Sequence, residues 1–473
     1  MSDTLQVRNP RTGELDYEIS VATTEKIAQL SEQLRANQPG WRDAGIDGRI
    51  AVLQRWQAAL QDNADAIVGA LSIDTGRHAL AQGELDSLLR SVDRWCEQAP
   101  GLVQHQERPA TTMPDVGIRQ QHEPFPLLGA ISPWNFPLLL SFIDAVPALL
   151  AGCAAIIKPS EVTPRFAAPV SDAIAAVPEL HKVLRFVSGD GRSGAALIEH
   201  VDVVAFTGSV ATGKVVARAA ADAFIPAFLE LGGKDPVVLL QGTDLERAAT
   251  AILRASVAAT GQACQSLERI YVHESQHDEF VTLLSEKAAA VELSYPDAHK
   301  GIIGPLIFAH QADIIATHLQ DAYEKGAVAH TGGEVLDHDG GKFIAPTVLS
   351  NVDHTMKVMT EETFGPVMPV MRFSAEQEAI ALANDSRYGL SGAVFGASEE
   401  DALRVATQLN VGGVSVNDAG MTTMIFDACK SAFNMSGMGP SRMGPPGLTR
   451  FFRQKALYIN RGDVIPVDIF AER

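Results

Sequence analysis

Cysteine is scarce in this 473-residue sequence. Cys96, Cys153, Cys264 and Cys429 stand far apart and form no CxxC pair. Such spacing argues against a disulfide scaffold or a zinc ribbon. None of the thirteen histidines falls in an HExxH or another close ligand pair, so no catalytic metal is expected. Basic residues number 38 against 57 acidic, a net charge of −19. A surface of that sign repels phosphate backbones, which argues against nucleic acid as a partner. The N-terminus, MSDTLQVRNPRTGELDYE, has no apolar signal core, so a cytoplasmic protein is expected. One uncharged run, residues 124–143, is long enough to span a bilayer but holds Pro124, Pro126, Pro133 and Pro137. Those prolines would leave backbone groups unpaired in lipid, so no membrane partner is expected and the run reads as buried core broken by a tight loop.

What is present fits a large folded chain. Hydrophobic residues make up 46 % and charged residues 20 %, enough to build cores and too apolar for disorder. The length suggests about three domains. Residues 24–38, 48–70 and 79–97 have the apolar spacing of surface helices. Residues 105–125, rich in proline and polar groups, read as a hairpin leaving the domain body. From 127 onward, short apolar runs (LLGAIS, CAAIIKPS, VLRFVS, VDVVAFTGS, AFLELGG) alternate with helical stretches. That alternation predicts a parallel sheet covered by helices, with ligands beyond the carboxyl ends of its strands. After Lys234 the pattern restarts as a second α/β unit. The tail KALYINRGDVIPVDIF alternates like an edge strand.

Several short patterns sit at these strand ends. Gly189 to Gly194 matches GxGxxG between a strand and a helix, yet the acidic residue due about 20 positions later is missing. It is a dinucleotide fingerprint or a plain glycine turn. Gly208 to Lys214 satisfies GxxxxGK, but Val215 stands where the magnesium-binding hydroxyl belongs, which speaks against an ATPase. A phosphate could still sit at that helix N-terminus. Lys158 and Glu161 are a surface pair or a grip on a nucleotide ribose, where a carboxylate favours NAD over NADP. Cys264, in TGQACQ, is a buried small residue or an accessible thiol whose pKa nearby N–H groups would lower. Glu230, between two leucines before a glycine pair, could face a cavity as a general base. Asn135, in the uncharged PWNFP loop, could donate to an oxyanion.

Taken together, PWNFPLLL, KPSE, FTGSVATGK, LELGGKDP, GQAC, EETFGPVMPV, YGLSGAVF and NMSGMG resemble the NAD(P)-dependent aldehyde dehydrogenase superfamily, in family order from about residue 125 to 440. The resemblance implies an α/β fold: a Rossmann-like NAD-binding domain, an α/β catalytic domain and a small β oligomerisation arm. The NAD-binding part would comprise 1–105 and 125–231, interrupted by an oligomerisation hairpin at 106–124. The catalytic part would span 232–440, and 441–473 would carry an oligomerisation strand. A homodimer or homotetramer is implied. Cys264 resembles the family's nucleophile, Glu230 its base, and Asn135 with the Cys264 backbone N–H its oxyanion hole. Lys158, Ser160 and Glu161 match the adenosine end of the cofactor site. Ser209 matches a pyrophosphate contact, and Glu362 and Phe364 match the nicotinamide end. Trp134, Gly191, Thr207, Gly208, Leu231 and Gly232 match other positions lining the cofactor. The cofactor implied is NAD, with NADP possible.

The sequence departs from the family toward its end. Ala259-Thr260 precede the GQ, Ser431-Ala432-Phe433 replace the usual FGG run, and Pro440-Ser441-Arg442-Met443 replace a basic–acidic pair. These changes bear on the substrate rather than the chemistry. Phe136, Leu140 and Ile143 are spaced as one helix face toward a substrate channel, with Phe433 and residues 420–426 closing it. The mouth reads as apolar, favouring an aliphatic or aromatic aldehyde. Arg442 or Lys430 would reverse that preference if either faced the substrate. The rivals are a semialdehyde dehydrogenase with the same machinery and a non-catalytic NAD-binding protein.

Overall fold

The computed structural model describes residues 3–103 and 107–472. The boundary expected between 105 and 106 lies outside the described residues. Among them, no helix is long and apolar enough to cross a membrane.

A six-stranded sheet forms the first half. Its order is Gly437–Met438, Ala227–Glu230, Val203–Thr207, Leu127–Ile131, Ala154–Lys158, Leu184–Phe186, and only the first of these runs antiparallel to its neighbour. The central strands are buried along their whole length, which is why each reads as an unbroken apolar run. The uncharged stretch at 124–143 divides into the strand Leu127–Ile131 and the helix Pro137–Phe142, both packed in the core. The chain moves outward from Leu127–Ile131 through Ala154–Lys158 to Leu184–Phe186, then returns to the other side of Leu127–Ile131. Strand order therefore reverses beside Leu127–Ile131, and a crevice opens there at the carboxyl edge.

Four N-terminal helices flank this sheet, the first packing on its strands and the others mainly on helices beside it. The first, Thr24–Asp43, runs past Pro39, where the sequence suggested a stop at 38. Tertiary contacts hold its last turn: Gln38 donates to the Gly152 carbonyl at 2.8 Å and the Trp41 indole to that of Leu149 at 2.9 Å. The stretch read as one helix over 48–70 is two, Gly45–Asp62 and Ala64–Thr75, broken at Asn63.

The second sheet has seven strands, ordered Val328–Ala329, Thr347–Ser350, Val367–Phe373, Leu267–His273, Asp235–Leu239, Ser391–Phe395, Gly413–Val416. All pairings but the first are parallel. The chain rejoins the first sheet at Gly437, pairing with Glu230. A third sheet, antiparallel, joins Phe452–Asn460 to Val116–Pro124 and Val116–Pro124 to Glu107–Pro109. The tail is strand only to Asn460. Its side chain accepts from Gly462 N at 3.0 Å, and beyond Pro466 the chain makes a short 3-10 turn, Val467–Phe470. The apolar alternation of VIPVDIF thus reflects an exposed turn, not a continued strand.

Candidate active site

The nucleophile candidate sits on an unusual turn. The helix Leu245–Val257 ends, and Ala259, Thr260 and Gly261 all adopt left-handed backbone with φ of 53°, 61° and 69°. For Ala and the β-branched Thr this costs roughly 1–2 kcal/mol per residue, so neighbours must hold the turn in place. A Cβ on Gly261 would stand 2.2 Å from the Gly365 backbone, leaving room for glycine alone. Thr260 donates to the Gly304 carbonyl at 3.1 Å, and Gln262 Oε1 accepts from Ile307 N at 2.9 Å. The buried Arg77 guanidinium donates to Ala259 O at 3.0 Å and to Asn135 O at 2.6 Å, joining this turn to the PWNFP loop. Asn135 closes the junction by donating Nδ2 to Gln262 O at 2.9 Å. Asn135 is buried, its partner Gln262 stands two residues before Cys264, and among the described residues one amide hydrogen is committed and one left over.

Cys264 itself is half-buried at the wall of a cleft of about 1350 Å³, counted with its open mouth. Burial pushes its thiol up to about 12, reinforced by the Glu362 and Asp235 carboxylates and opposed by Lys430 and Arg442. This corrects the expected lowering: desolvation and two carboxylates outweigh local N–H groups, so the resting group is a thiol. Glu230 lines the same cleft from the end of Ala227–Glu230, with about a fifth of its side chain exposed. Its Oε1 lies 3.7 Å from Arg442 Nε.

Phe136, Leu140 and Ile143 line the cleft with Leu139. From the run 420–426, Gly420, Thr423, Met424 and Phe426 contribute. Phe433 does not. It is 40 % exposed with its Cβ packed toward Gly389, and Ser431 and Ala432 face the cleft in its place. Both Lys430 and Arg442 line the cleft.

The cofactor candidates gather along the carboxyl edge of the first sheet. Lys158 is buried with its ammonium 3.2 Å from the half-exposed Glu161 carboxylate. Ser160 is buried and accepts from Val162 N at 3.2 Å. Ser209 caps the helix Val210–Asp222, accepting from Thr212 N at 3.2 Å. Gly208 donates to Glu230 O at 3.1 Å. Thr207 and Leu231 line the cleft, and Thr207 accepts from Arg442 at 2.7 Å. Gly191 opens the helix Gly191–Ile198 with free space where a Cβ would stand. The carboxylate of Asp190 already caps that helix, so an anion there would meet a like charge. The hydroxyl cap of Ser209 carries no such penalty. Trp134 and Phe364 meet edge to face at 5.3 Å. The Glu362 carboxyl lies against Gly232, where a Cβ would come within 2.1 Å, and accepts from Gly233 N at 3.1 Å. Burial and the neighbouring Glu268 push it up to about 8.

Several residues that hold this arrangement were not singled out from sequence. Arg77 is one. Glu84, buried on the helix His78–Leu102, accepts from Leu138 N and Leu139 N at 3.1 Å and so caps the helix that carries Leu140. Lys234 and Glu268 form a buried pair at 2.6 Å, and Glu268 accepts from Thr363 N and Phe364 N at 2.7 and 2.8 Å.

The sequence pattern of the aldehyde dehydrogenase family matches residues 1–457. The chain belongs to the aldehyde dehydrogenase family. It is 36 % identical over 422 residues to the 4,4'-diapolycopene aldehyde oxidase of a Methylomonas species, covering 88 % of this chain and 78 % of that one. Geranial dehydrogenase of Castellaniella defragrans is 31 % identical, covering 96 % and 95 %. Among solved structures of aldehyde dehydrogenase fold, PutA from Anabaena variabilis superposes with a TM-score of 0.97 at 52 % identity, covering 98 % and 99 %. Betaine aldehyde dehydrogenase from Staphylococcus aureus, in complex with NAD+, superposes at 0.91 with 29 % identity, covering 99 % and 94 %.

Proposed function

We propose that this enzyme oxidises an aldehyde to its carboxylic acid through a thioester on Cys264, with NAD as the oxidant. The placement of Cys264 and Glu230 on one cleft, with the Asn135 amide locked to the turn that presents Cys264, carries the reading. The residues at the sheet edge suit a dinucleotide. Glu161 can accept from a ribose diol, the N–H groups at the start of Val210–Asp222 can hold a phosphate, and Trp134 and Phe364 offer flat apolar faces. When bound, the nicotinamide takes up the hydride that the substrate loses.

The Cys264 thiol gives up its proton to water as Sγ bonds to the aldehyde carbon. The carbonyl oxygen gains charge, and the free Asn135 amide hydrogen and the Cys264 N–H stabilise it. Loss of hydride from that adduct leaves the thioester. Glu230 then takes a proton from a water as the water attacks the acyl carbon, and Cys264 leaves to be reprotonated. The cleft walls Phe136, Leu139, Leu140, Ile143, Met424 and Phe426 suit an aliphatic or aromatic aldehyde. A second reading, a carboxylate-bearing semialdehyde, is favoured by Lys430. Its ammonium lines the cleft, held by Gln265 Oε1 at 2.6 Å and Thr422 O at 3.0 Å, with no carboxylate in ion-pair range among the described residues.

We place the domain limits at 1–105 with 125–231, 106–124, 232–440 and 441–473; the six- and seven-stranded sheets support the split near 232, while Gly437–Met438 returns to the first of them. The strand Phe452–Asn460, with Val464, Val467 and Phe470 each at least 80 % exposed, suits burial against a second copy in a dimer or tetramer.

The test is reduced-cofactor formation across short, long, aromatic and carboxylate-bearing aldehydes with NAD and NADP. Wild type turns over, Cys264→Ala does not, and Glu230→Gln gives one burst and stalls. Turnover that survives loss of Cys264 defeats the reading.

A further inference from the structure

Arg442 belongs to a segment that departs from the family pattern and lines the cleft. Its guanidinium is almost sealed from solvent. Nη2 donates to Asp144 Oδ2 at 2.8 Å and to Thr207 Oγ1 at 2.7 Å. The other oxygen of Asp144 pairs with Arg450, itself buried over the Phe228 and Phe451 rings. Arg442 is therefore fixed and cannot follow a substrate carboxylate into the cleft. Its Nε is buried without a hydrogen-bond partner and lies 3.7 Å from Glu230 Oε1. Among the described residues, no other cation is within ion-pair range of Glu230.

Around the base the charges are arranged in opposition. Asp144 and Arg450 lie outside the cleft lining, while Arg442, Cys264 and Lys430 line the cleft with Glu230. Two guanidinium groups and two carboxylates balance within the buried group. Burial alone would lower Arg442, but Asp144, Glu230 and Cys264 together hold it above its ordinary value. At 3.7 Å, Arg442 Nε attracts the Glu230 carboxylate without locking it in a hydrogen bond.

We propose that Arg442 is the positioning residue of Glu230, a fixed charge that draws the Glu230 side chain to one place on the cleft wall, within reach of the Cys264 thioester but not hydrogen-bonded to Arg442. This rests on Glu230 being the base. Arg442 acts on thioester hydrolysis and leaves thioester formation alone.

The test is rapid-mixing kinetics on the full-length enzyme with NAD and its best aldehyde, comparing Arg442→Met and Arg442→Lys with wild type. With Arg442→Met the first burst of reduced cofactor keeps its amplitude, and steady turnover falls about tenfold to a hundredfold as positioning of the base is lost. Acid quenching then traps acylated Cys264. Arg442→Lys keeps a charge beside Asp144 and recovers most of the turnover. If Arg442→Met does not fold, Arg442→Lys is read alone: an intact burst with turnover slowed about threefold supports the proposal, and unchanged turnover overturns it. Combined with Glu230→Gln, Arg442→Met causes no further slowing, because the two act on one step. Burst and turnover falling together, or full turnover in Arg442→Met, overturns the role of Arg442. Failure of Glu230→Gln to stall after its burst overturns the base reading instead.

Discussion

The two groups that meet in the cleft are held in opposite ways. Cys264 is reached through three left-handed residues, a glycine pressed on the Gly365 backbone, and the Arg77 bridge to the Asn135 loop. Glu230 ends an ordinary strand and feels one charge at 3.7 Å. The contrast follows the role proposed for each. The nucleophile forms a covalent bond at a fixed point, where an error of about 1 Å is costly. The base acts after the hydride has left and needs room for water.

That contrast can be broken most severely at the turn. Gly261→Ala forces a Cβ into backbone and a side chain into φ near 69°, so it is expected to cost more than about 3 kcal/mol. Denaturant unfolding reads this directly, and a wild-type midpoint would show that the turn can relax. Next comes Arg77→Met, which removes two hydrogen bonds from a buried cation and costs about 3 kcal/mol. It separates nucleophile from oxyanion donor, lowering kcat/KM about a hundredfold with Glu230 untouched. A fall in stability alone would make Arg77 a structural strut.

Reactivity of the thiol sharpens the same comparison. With the Cys264 pKa raised to about 12, the thiolate fraction of the cofactor-free enzyme grows tenfold for each pH unit through the neutral range. Alkylation by iodoacetamide should climb accordingly with no plateau below pH 9. A plateau near pH 7 would mean a thiolate already formed. The smallest effect is expected at Lys430→Met. Carboxylate-bearing aldehydes lose about tenfold in kcat/KM while neutral ones change less than about threefold. An equal loss for both classes would tie Lys430 to the thiol rather than to the substrate.

Much of this arrangement was readable in the sequence because it is local. Apolar runs of five or six residues between helical stretches marked the parallel strands. Asn135, Glu230 and Cys264 stood out as polar or reactive groups in apolar or glycine-rich surroundings. The break at Asn63 was not readable, because the apolar period runs through it. Nor was the helix past Pro39, which depends on the distant carbonyls of Leu149 and Gly152. Phe433 carried the right chemistry, but backbone direction turned it out of the cleft. The Arg77 bridge and the Asp144–Arg442 pair join residues 58 to 298 positions apart, a relation that no local pattern carries.

The left-handed turn before Cys264 has a consequence for the newly made chain. Its geometry is imposed by Arg77 near the start of the sequence, by Gly304 in the middle and by Gly365 beyond it. A ribosome-bound fragment that has just emitted Cys264 therefore carries an ordinary cysteine. The turn takes its geometry only after another hundred residues have emerged and docked, so the proposed site cannot form before most of the fold is complete.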